Sequence, residues 1–348
     1  MRIFLTGHLG YLGSVMATRF VEAGHEVTGL DAGYFAGCQF TAPPVRIPEL
    51  RLDLREVTAR QLEGYDAVVH MAALSNDPMG NLNEEWTMDI NHRASVQLAE
   101  RARAAGVRRF LFSSSCIMYG ASAAAEVNED SPLAPNTVYA RSKVAAERDI
   151  AALATPEFSP VFLRNGTVYG VSPYLRFDTV LNNLVGAAVA TGVVTVYGDG
   201  LPWRPVVHIE DVAQVFLAVL AAPAERLHNQ ALNAAAASVN HRIIDLARVV
   251  AAAVPGSRLE CLGQADADHR TYQANFDKIA RLLPEFQLRW SVEAGVEQLV
   301  NAFRRRGLTR AEFASAQFTR MKWLRGLVES GRFDGRLHPV EQQQEALA

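Results

Sequence analysis

The amino-acid sequence predicts an α/β protein built on a doubly wound parallel sheet, with a smaller α/β region that interleaves with it. Over the first two-thirds of the 348 residues, short β-branched runs alternate with longer helical patterns. This alternation is typical of parallel strands joined by helices that cover both faces of the sheet. The first run also ends in a glycine-rich turn, and sheets of this kind bind ligands at the carboxyl ends of their strands.

Each apolar run is assigned to a strand and each longer periodic segment to a helix. Leu98, Ala102 and Ala105, for example, recur at i, i+4 and i+7 and form one apolar helix face. After residue 164 the alternation weakens and prolines become frequent, but no long glycine and serine linker follows, so we expect the second region to interleave with the first. The predicted strands are 3–6, 26–30, 67–70, 109–113, 161–164 and 206–208, and the predicted helices are 11–23, 84–105, 136–154, 209–221 and 309–327.

Composition and charge exclude several classes of protein. Apolar residues make up 49% of the chain and charged residues 20%, which is enough to bury a core and argues against disorder. The 34 basic and 37 acidic residues nearly cancel, so we expect no binding of nucleic acid. Cys38, Cys116 and Cys261 are odd in number and widely spaced, which fits neither a disulfide framework nor a zinc site and favours the cytoplasm.

Neither a signal peptide nor a membrane span is expected. The chain reaches a glycine at position 7, too early for the apolar part of a signal peptide. The 20 uncharged residues between Asp178 and Asp199 include Asn182 and Asn183, whereas a span needs about 20 mainly apolar residues. This stretch is predicted to be a surface-docked helix followed by a strand.

A glycine turn follows the first predicted strand. Gly7, Gly10 and Gly13 form a G-x-x-G-x-x-G pattern that opens a helix, where glycines let the backbone approach a diphosphate. Asp31 closes the second strand, where a carboxylate can accept a hydrogen bond from a ribose 2′-hydroxyl and repel a 2′-phosphate. The pattern therefore favours NAD over NADP, the alternative being an ordinary strand-end aspartate.

Tyr139 and Lys143 are four residues apart, which places the phenol and the ammonium on one helical face. A cation beside a phenol lowers the phenol pKa and makes it a usable general base. The chain has only three lysines among 34 basic residues, so a lysine at this position indicates a chemical requirement. The alternative interpretation is a pair on a surface helix.

A run of three serines follows the strand predicted at 109–113. Ser113 and Ser115 lie where that strand ends, and a hydroxyl there can hydrogen-bond to a substrate oxygen beside the tyrosine. An ordinary turn from strand to loop is the alternative.

These motifs, with His70-Met71-Ala72-Ala73 and Asn91, resemble the extended short-chain dehydrogenase/reductase family and, within it, the NAD-dependent nucleotide-sugar epimerase/dehydratase branch. The resemblance covers roughly residues 1–300 and continues through 163–170 and 198–213. It implies a Rossmann-type NAD-binding domain over 1–165, with a returning segment at about 205–235. A nucleotide-sugar domain would comprise 166–204 and 236–348. It also implies a homodimer that pairs through the helix bearing the tyrosine.

The resemblance also implies roles for individual residues. Ser115 would be the catalytic hydroxyl, Tyr139 the base and Lys143 its partner, while Asp53 would lie by the adenine. Arg204 and Arg270 would contact the diphosphate of the sugar nucleotide, although either could be a surface arginine. The implied NAD contacts are Gly7, Gly10, Tyr11, Leu12, Gly13, Asp31, Asp53, Leu54, Met71, Ala72, Ala73, Asn91, Ser113 and Lys143, and the implied substrate contacts are Ser75, Asn165, Asn183, Arg204 and Arg270.

One departure from the family pattern bears on the reaction. Sugar 4,6-dehydratases of this branch carry Asp-Glu directly after the catalytic hydroxyl residue, where this chain has Cys116 and Ile117. Because isoleucine cannot transfer protons, ordinary dehydration is not expected. Cys116 is a candidate proton shuttle beside a transient ketone, and the alternative is a small buried residue.

The resulting expectation is an epimerase that oxidises a nucleotide-sugar hydroxyl, at C4, through a transient keto sugar. A 4-keto-sugar reductase would use the same residues, and a non-catalytic dinucleotide-binding sensor is a third possibility. His8, His70 and His208 show no metal-ligand spacing, so no metal is expected. The aromatic residues after 309 are expected to pack on the core rather than to bind a ligand.

Overall fold

The computed structural model describes residues 1–121, 126–263, 271–338 and 340. Its main element is a seven-stranded, wholly parallel sheet with the order β3-β2-β1-β4-β5-β6-β10, which confirms the predicted fold class. The strands are β1 Arg2–Thr6, β2 Glu26–Asp31, β3 Glu49–Arg51, β4 Ala67–His70, β5 Arg109–Ser115, β6 Ser159–Asn165, β7 Thr167–Tyr169, β8 Val193–Val196, β9 Trp203–His208, β10 Gln230–Asn233, β11 Asn240–Arg242 and β12 Arg258–Cys261.

Two smaller sheets lie outside the main one. In the first, β9 pairs with β7 in parallel and with β11 in antiparallel orientation, and in the second, β8 pairs with β12. The strand predicted at 206–208 therefore exists but does not belong to the main sheet. The seventh main strand, β10, and the edge strand β3 were not predicted, and they are four and three residues long.

Helices cover both faces of the main sheet. The helix predicted at 84–105 is interrupted by a π-helical turn at Asp89–Arg93, and the one predicted at 309–327 is divided by a 3₁₀ turn at Ala316–Phe318. The α-helices are α1 Tyr11–Glu22, α2 Asp77–Gly80, α3 Glu84–Met88, α4 Ala94–Ala104, α5 Val138–Ala151, α6 Val180–Thr191, α7 Ile209–Ala221, α8 Ala224–Leu227, α9 Ile243–Ala253, α10 Asp277–Leu282, α11 Val292–Arg306, α12 Arg310–Ala314 and α13 Arg320–Glu329.

Alternate residues of the central strands are buried on opposite faces, as a doubly wound sheet requires. Ile3 and Leu5 of β1 pack in the cluster that includes Phe20 of α1, whereas Phe4 between them packs in the cluster that includes Leu98 of α4. All five side chains are fully buried. This two-sided burial fixes the strand ends, and with them the residues that follow each strand.

The carboxyl-terminal segment, residues 309–338, packs against the rest of the chain through its aromatic residues, as expected. Phe318 is fully buried and makes edge-on contacts with Phe40 and Phe177. The Trp323 indole donates a hydrogen bond to the Tyr34 carbonyl at 2.9 Å. Within the described residues, no helix is both long and apolar enough to cross a bilayer, and the stretch predicted to be a helix and a strand forms α6 and β8.

Candidate active site

A cavity of about 440 Å³ opens at the carboxyl ends of the main strands. Because parallel strands end at one edge of the sheet, residues that follow β1, β2, β4, β5 and β6 converge there. Residues with an expected role that line this cavity are Gly7, Gly10, Tyr11, Leu12, Gly13, Asp31, Asp53, Leu54, Met71, Ala72, Ala73, Ser75, Ser113, Ser115, Tyr139, Asn165 and Arg204.

The glycine turn is closed so tightly that side chains are excluded. Gly7 has a φ of +75°, and its N–H donates to the Leu30 carbonyl at 2.7 Å. A Cβ on Gly13 would lie 2.0 Å from the Gly7 carbonyl oxygen, and a Cβ on Gly7 would lie 2.8 Å from the Ala72 nitrogen. The backbone alone therefore forms this wall of the cavity.

The amino-terminal end of α1 faces the cavity without a competing anion. Its N-cap, Gly10, offers no side-chain oxygen, and no acidic residue occupies the first turn. Free N–H groups and the helix dipole at such an end favour a bound diphosphate. The Tyr11 side chain is directed elsewhere, because its hydroxyl donates to the Gly170 carbonyl at 2.9 Å.

Asp31 lies on the neighbouring wall of the cavity. Its carboxylate accepts from the N–H groups of Gly33 at 2.7 Å and Leu9 at 3.1 Å. Burial raises the pKa of Asp31, and these two donors act in the opposite direction. The hydrogen bonds thus hold the carboxylate where a ribose hydroxyl would meet it.

The Asp53 carboxylate accepts hydrogen bonds from neighbouring side chains. Arg55 donates to its carboxylate at 2.7 and 2.8 Å, and the Tyr34 hydroxyl donates at 3.1 Å. Burial acts to raise the pKa of Asp53, but the Arg55 hydrogen bonds hold it below its usual value. Asp53 lines the cavity as an ion pair rather than as a free carboxylate.

Tyr139 and Ser115 form the polar centre of the cavity. Tyr139 is located in the first turn of α5, and its side chain lines the cavity together with Ser115 at the end of β5. Burial raises the pKa of the Tyr139 phenol, while Arg176 and the Ser115 hydrogen bond act to lower it. The pair can therefore hold a substrate oxygen and exchange its proton if a cation offsets the burial.

Lys143 does not act on the phenol as the spacing predicts. Its ammonium donates to the Ser113 carbonyl at 2.8 Å and lies 4.5 Å from the centre of the Phe112 ring, against 5.8 Å for Tyr139. Burial lowers the pKa of Lys143 to about 7. Arg176, not Lys143, is the cation whose charge lowers the tyrosine pKa in this structure.

The proton-shuttle role considered for Cys116 is not supported by its placement. The side chain is fully buried, and its thiol donates to the Arg164 carbonyl at 3.2 Å, away from the cavity. Burial also raises the pKa of the thiol well above its usual value. Ile117, not Cys116, reaches the cavity wall beside Ser115. We correct the expectation accordingly: Cys116 is a packing residue.

Two asparagines with an expected ligand role do not line the cavity. The Asn91 amide bonds to both backbone groups of Leu74, at 2.8 and 3.0 Å, and to the Ser142 hydroxyl at 3.3 Å. It therefore supports the loop after β4 rather than a ligand. Asn183 is exposed on α6 and donates to the Phe177 carbonyl at 3.0 Å.

Four further residues have an expected role in substrate binding: Asn165, Ser75, Arg204 and Arg270. Asn165 donates to the Ser113 hydroxyl at 3.1 Å, and its buried Oδ1 has no described partner. Ser75 accepts from Arg176 at 2.8 Å. Arg204 is buried at the cavity wall and donates to the Trp203 carbonyl at 2.8 Å. Arg270 lies outside the described residues.

Besides Asp77, three further charged residues of the cavity were not predicted from the sequence. Arg176 and Asp178 form an ion pair inside the cavity, and Arg320 of α13 reaches the same wall. The sequence did contain a pattern that could have indicated Arg176 and Asp178, because these two charged residues interrupt an otherwise apolar run. Arg320 belongs to no motif and gave no signal.

The three histidines with no expected function are held by protein groups. His70 bonds to the hydroxyls of Thr6 at 2.7 Å and Ser95 at 2.8 Å, and burial lowers its pKa to about 3. His8 bonds to Glu49, and His208 to Gln298. Among the described residues, no group of three or more metal-ligating side chains converges.

Comparisons with known proteins agree with this geometry. The family described as "NAD dependent epimerase/dehydratase family" matches residues 3–235. A UDP-glucose 4-epimerase of Streptomyces lividans is 31% identical over 62% of this chain and 70% of its own length.

Solved structures extend the likeness over most of the chain. TunA, a NAD dependent NDP-hexosamine 5,6-dehydratase involved in tunicamycin biosynthesis, has a TM-score of 0.79 at 25% identity and matches 88% of this chain and 99% of its own. MoeE5 in complex with UDP-glucose and NAD has a TM-score of 0.75 at 26% identity, with the same coverage.

The cavity residues fit the cofactor that these proteins bind. Glycines crowded against backbone, an uncapped helix end and a strand-end carboxylate are the features that receive the diphosphate and ribose of a dinucleotide. Gly7, Gly10, Gly13 and Asp31 would hold NAD, whose chemistry is hydride transfer. The family match spans more than half of the chain, so this protein belongs to the NAD dependent epimerase/dehydratase family.

Proposed function

We propose that this chain is an NAD-dependent nucleotide-sugar epimerase that acts through a transient keto sugar. The observation that carries the proposal is the composition of the cavity wall, where the side chains of Tyr139, Ser115 and Ile117 all reach the cavity. This centre can remove and return one proton. The similarity to several UDP-glucose 4-epimerases supports a nucleotide-sugar substrate.

In the proposed reaction, Ser115 hydrogen-bonds to the reacting sugar oxygen and Tyr139 removes its proton. Bound NAD supplies the chemistry of hydride removal and return. Arg176 favours the ionised phenol, whereas burial and the Asp77 carboxylate disfavour it. The Asn165 oxygen without a described partner lies on the same wall and can accept from a neighbouring sugar hydroxyl. The proton returns from Tyr139 when the opposite face of the keto sugar is reduced.

Dehydration is disfavoured by the residues beside Ser115. Loss of water from a keto sugar needs one group to protonate the departing hydroxyl and another to remove a carbon-bound proton. In this chain the two positions hold a thiol that faces Arg164 and the aliphatic side chain of Ile117. Neither can carry out the required proton transfers.

The proposal further assigns the two parts of the fold to two ligands. Residues 1–165, with the segment at about 205–235, would hold NAD, and residues 166–204 with 236–348 would hold the sugar nucleotide. Arg204, from the second part, lies on the wall of the shared cavity and can bind a phosphate through its guanidinium.

The decisive experiment incubates the protein with UDP-, GDP-, dTDP- and CDP-sugars and separates the products by stereoisomer. We expect an isomer to form without net consumption of NAD or NADH. Tyr139→Phe should lower turnover by roughly two orders of magnitude or more, because the proton acceptor is lost. Tyr197→Phe is the matched control, since Tyr197 is exposed and does not line the cavity.

Two outcomes would contradict the proposal. Turnover of Tyr139→Phe close to that of the wild type would exclude the proton-transfer role. Stoichiometric oxidation of NADH with 4-keto sugars, without isomer formation, would make the protein a ketoreductase instead. A cofactor that does not change redox state with any sugar nucleotide would favour a sensor.

A further inference from the structure

Arg320 is a buried cation on the wall of the cofactor cavity, contributed by the carboxyl-terminal segment. Only 2% of the residue is exposed. Its Nη2 donates to the Tyr174 carbonyl at 2.6 Å, and its guanidinium lies 4.8 Å from the centre of the Phe35 ring. Its Nη1 is buried and hydrogen-bonds to no described group. A buried guanidinium nitrogen without a partner is costly, which points to a ligand that accepts from it.

A second guanidinium with the same property lies on this wall. Arg176 is 6% exposed, pairs with Asp178 and donates to the Ser75 hydroxyl at 2.8 Å. Its Nη2 also lacks a described partner. Burial raises the pKa of the adjacent Cys38 thiol to about 11, so that thiol adds no negative charge. The Arg176 guanidinium and the Arg320 backbone N–H thus share the Asp178 carboxylate, and these three side chains together carry one excess positive charge, although Asp31 and Asp77 also line the cavity.

The position of the two arginines indicates which anion they would meet. Both line the cavity together with Gly10, the N-cap residue at the uncapped end of α1. On the other side, Arg320 is stacked over Phe35, close to the wall formed by Asp31 and Ala32. The two cations thus line the same cavity as the end of α1 and the Asp31 carboxylate.

We propose that Arg320 and Arg176 bind the diphosphate of the dinucleotide, so that the carboxyl-terminal segment completes the cofactor site. Guanidinium groups form short, charge-assisted and often bidentate hydrogen bonds to phosphate oxygens. A diphosphate would supply acceptors for both unpartnered nitrogens and balance the excess charge. The proposal depends on the NAD dependence of the family and not on the epimerase reaction.

The chain beyond α13 is placed to support this arrangement. The Tyr34 hydroxyl donates to the Leu337 carbonyl at 2.9 Å, and Arg55 donates to the Arg336 carbonyl at 2.8 Å. Tyr34 also lines the cavity, next to Asp53. Residues 331–338 therefore lie against the wall expected to face the adenosine, and they anchor the segment that carries Arg320.

The test compares Arg320→Gln with Arg325→Gln, which removes an exposed arginine from the same helix. The first measurements are the NAD content of the purified proteins after denaturation and the rate at which labelled NAD exchanges. Because hydrogen bonds to charged groups contribute about 1.5–3 kcal/mol, Arg320→Gln should weaken NAD binding by roughly ten- to a hundred-fold. Arg325→Gln should behave as the wild type, and Arg320→Lys should lose less than Arg320→Gln.

A second experiment tests whether Arg320 binds the diphosphate of the cofactor. It also tests whether the Arg320→Gln variant is folded. On protein freed of NAD, the shift in melting temperature is measured with ADP, with adenosine and with UDP. Arg320→Gln should weaken stabilisation by ADP while leaving that by adenosine and UDP unchanged, and the UDP response also shows that the variant is folded. NAD and ADP affinities within two-fold of the wild type would overturn the proposal. A loss for UDP in place of ADP would overturn it as well, because the arginines would then belong to the sugar-nucleotide site.

Discussion

The glycine turn and the carboxyl-terminal segment reach the same cavity by different physical means. The turn contributes backbone alone, in a geometry that leaves no room for a Cβ at Gly13. The carboxyl-terminal segment contributes the long side chain of Arg320, held in place by aromatic packing around Phe318. The glycine turn is closed by backbone of its own residues and of the ends of neighbouring strands. Arg320 depends on packing partners more than a hundred residues away in sequence.

Glycine substitutions in the two regions give the largest expected contrast. Gly13→Ala would place a Cβ 2.0 Å from the Gly7 oxygen, so backbone must move, and we expect a loss of more than about 3 kcal/mol in the free energy of unfolding together with loss of bound NAD. Gly326 on α13 has no atom within 4 Å of the corresponding Cβ, and Gly326→Ala should stabilise the protein by about 0.5–1 kcal/mol through helix propensity.

Urea unfolding and NAD content measured on both variants test this contrast. Retention of NAD by Gly13→Ala would show that the turn can relax, and it would remove the distinction between the two regions. Destabilisation by Gly326→Ala would show that α13 is packed more closely than the structure indicates.

A pH titration separates packing of the carboxyl-terminal half from cofactor binding. His208 does not line the cavity; its ring is stacked on Trp290 at 3.9 Å and its Nε2 bonds to Gln298. Burial lowers the pKa of His208 from 6.5 to about 4. The unfolded state therefore binds more protons between these values, and stability falls as the pH falls through that window.

His208→Gln removes this contribution. Between pH 6.5 and 4, the wild type should lose about 3 kcal/mol more of its free energy of unfolding than the variant does. NAD content at pH 7 should be the same in both proteins. Equal losses over the window would mean that His208 is already protonated in the folded state, and a drop in NAD content would connect β9 to the cofactor site.

The sequence predicted the glycine turn and the strand ends, but it did not predict the role of the carboxyl-terminal segment. The turn at Gly7, the carboxylate at Asp31 and the hydroxyl of Ser115 each lie at the end of a strand, so predicting the strands also predicted that these residues meet at one edge. Tyr139 reaches the same cavity from the first turn of α5. Cys116 was considered for catalysis because its neighbour in sequence is Ser115. In a strand-to-turn segment adjacent side chains face opposite ways, and the structure buries the thiol against Arg164.

Residues whose position depends on distant packing could not be predicted. Arg320 is placed by contacts with residues of the loop before α6, and Arg176 reaches the phenol of Tyr139 only after that loop is folded over the cavity. The strand β10 joins the main sheet although 64 residues separate the end of β6 from its start, and its four residues carry no distinctive pattern. Contacts between residues that are far apart in sequence leave no local sequence pattern, so they are seen only in the structure.

The smallest expected effect concerns residues 331–338, which lie against the adenosine wall. The Trp86 indole donates to the Gly335 carbonyl at 2.7 Å, and Trp86→Phe removes that hydrogen bond while keeping an aromatic ring. Because one hydrogen bond contributes about 1 kcal/mol, the exchange of labelled NAD should accelerate roughly five-fold. Equilibrium unfolding should change by no more than about 1 kcal/mol. Exchange that accelerates without a matching loss of stability would show that this segment controls how fast the cofactor leaves. An unchanged exchange rate would restrict the role of the carboxyl-terminal segment to Arg320.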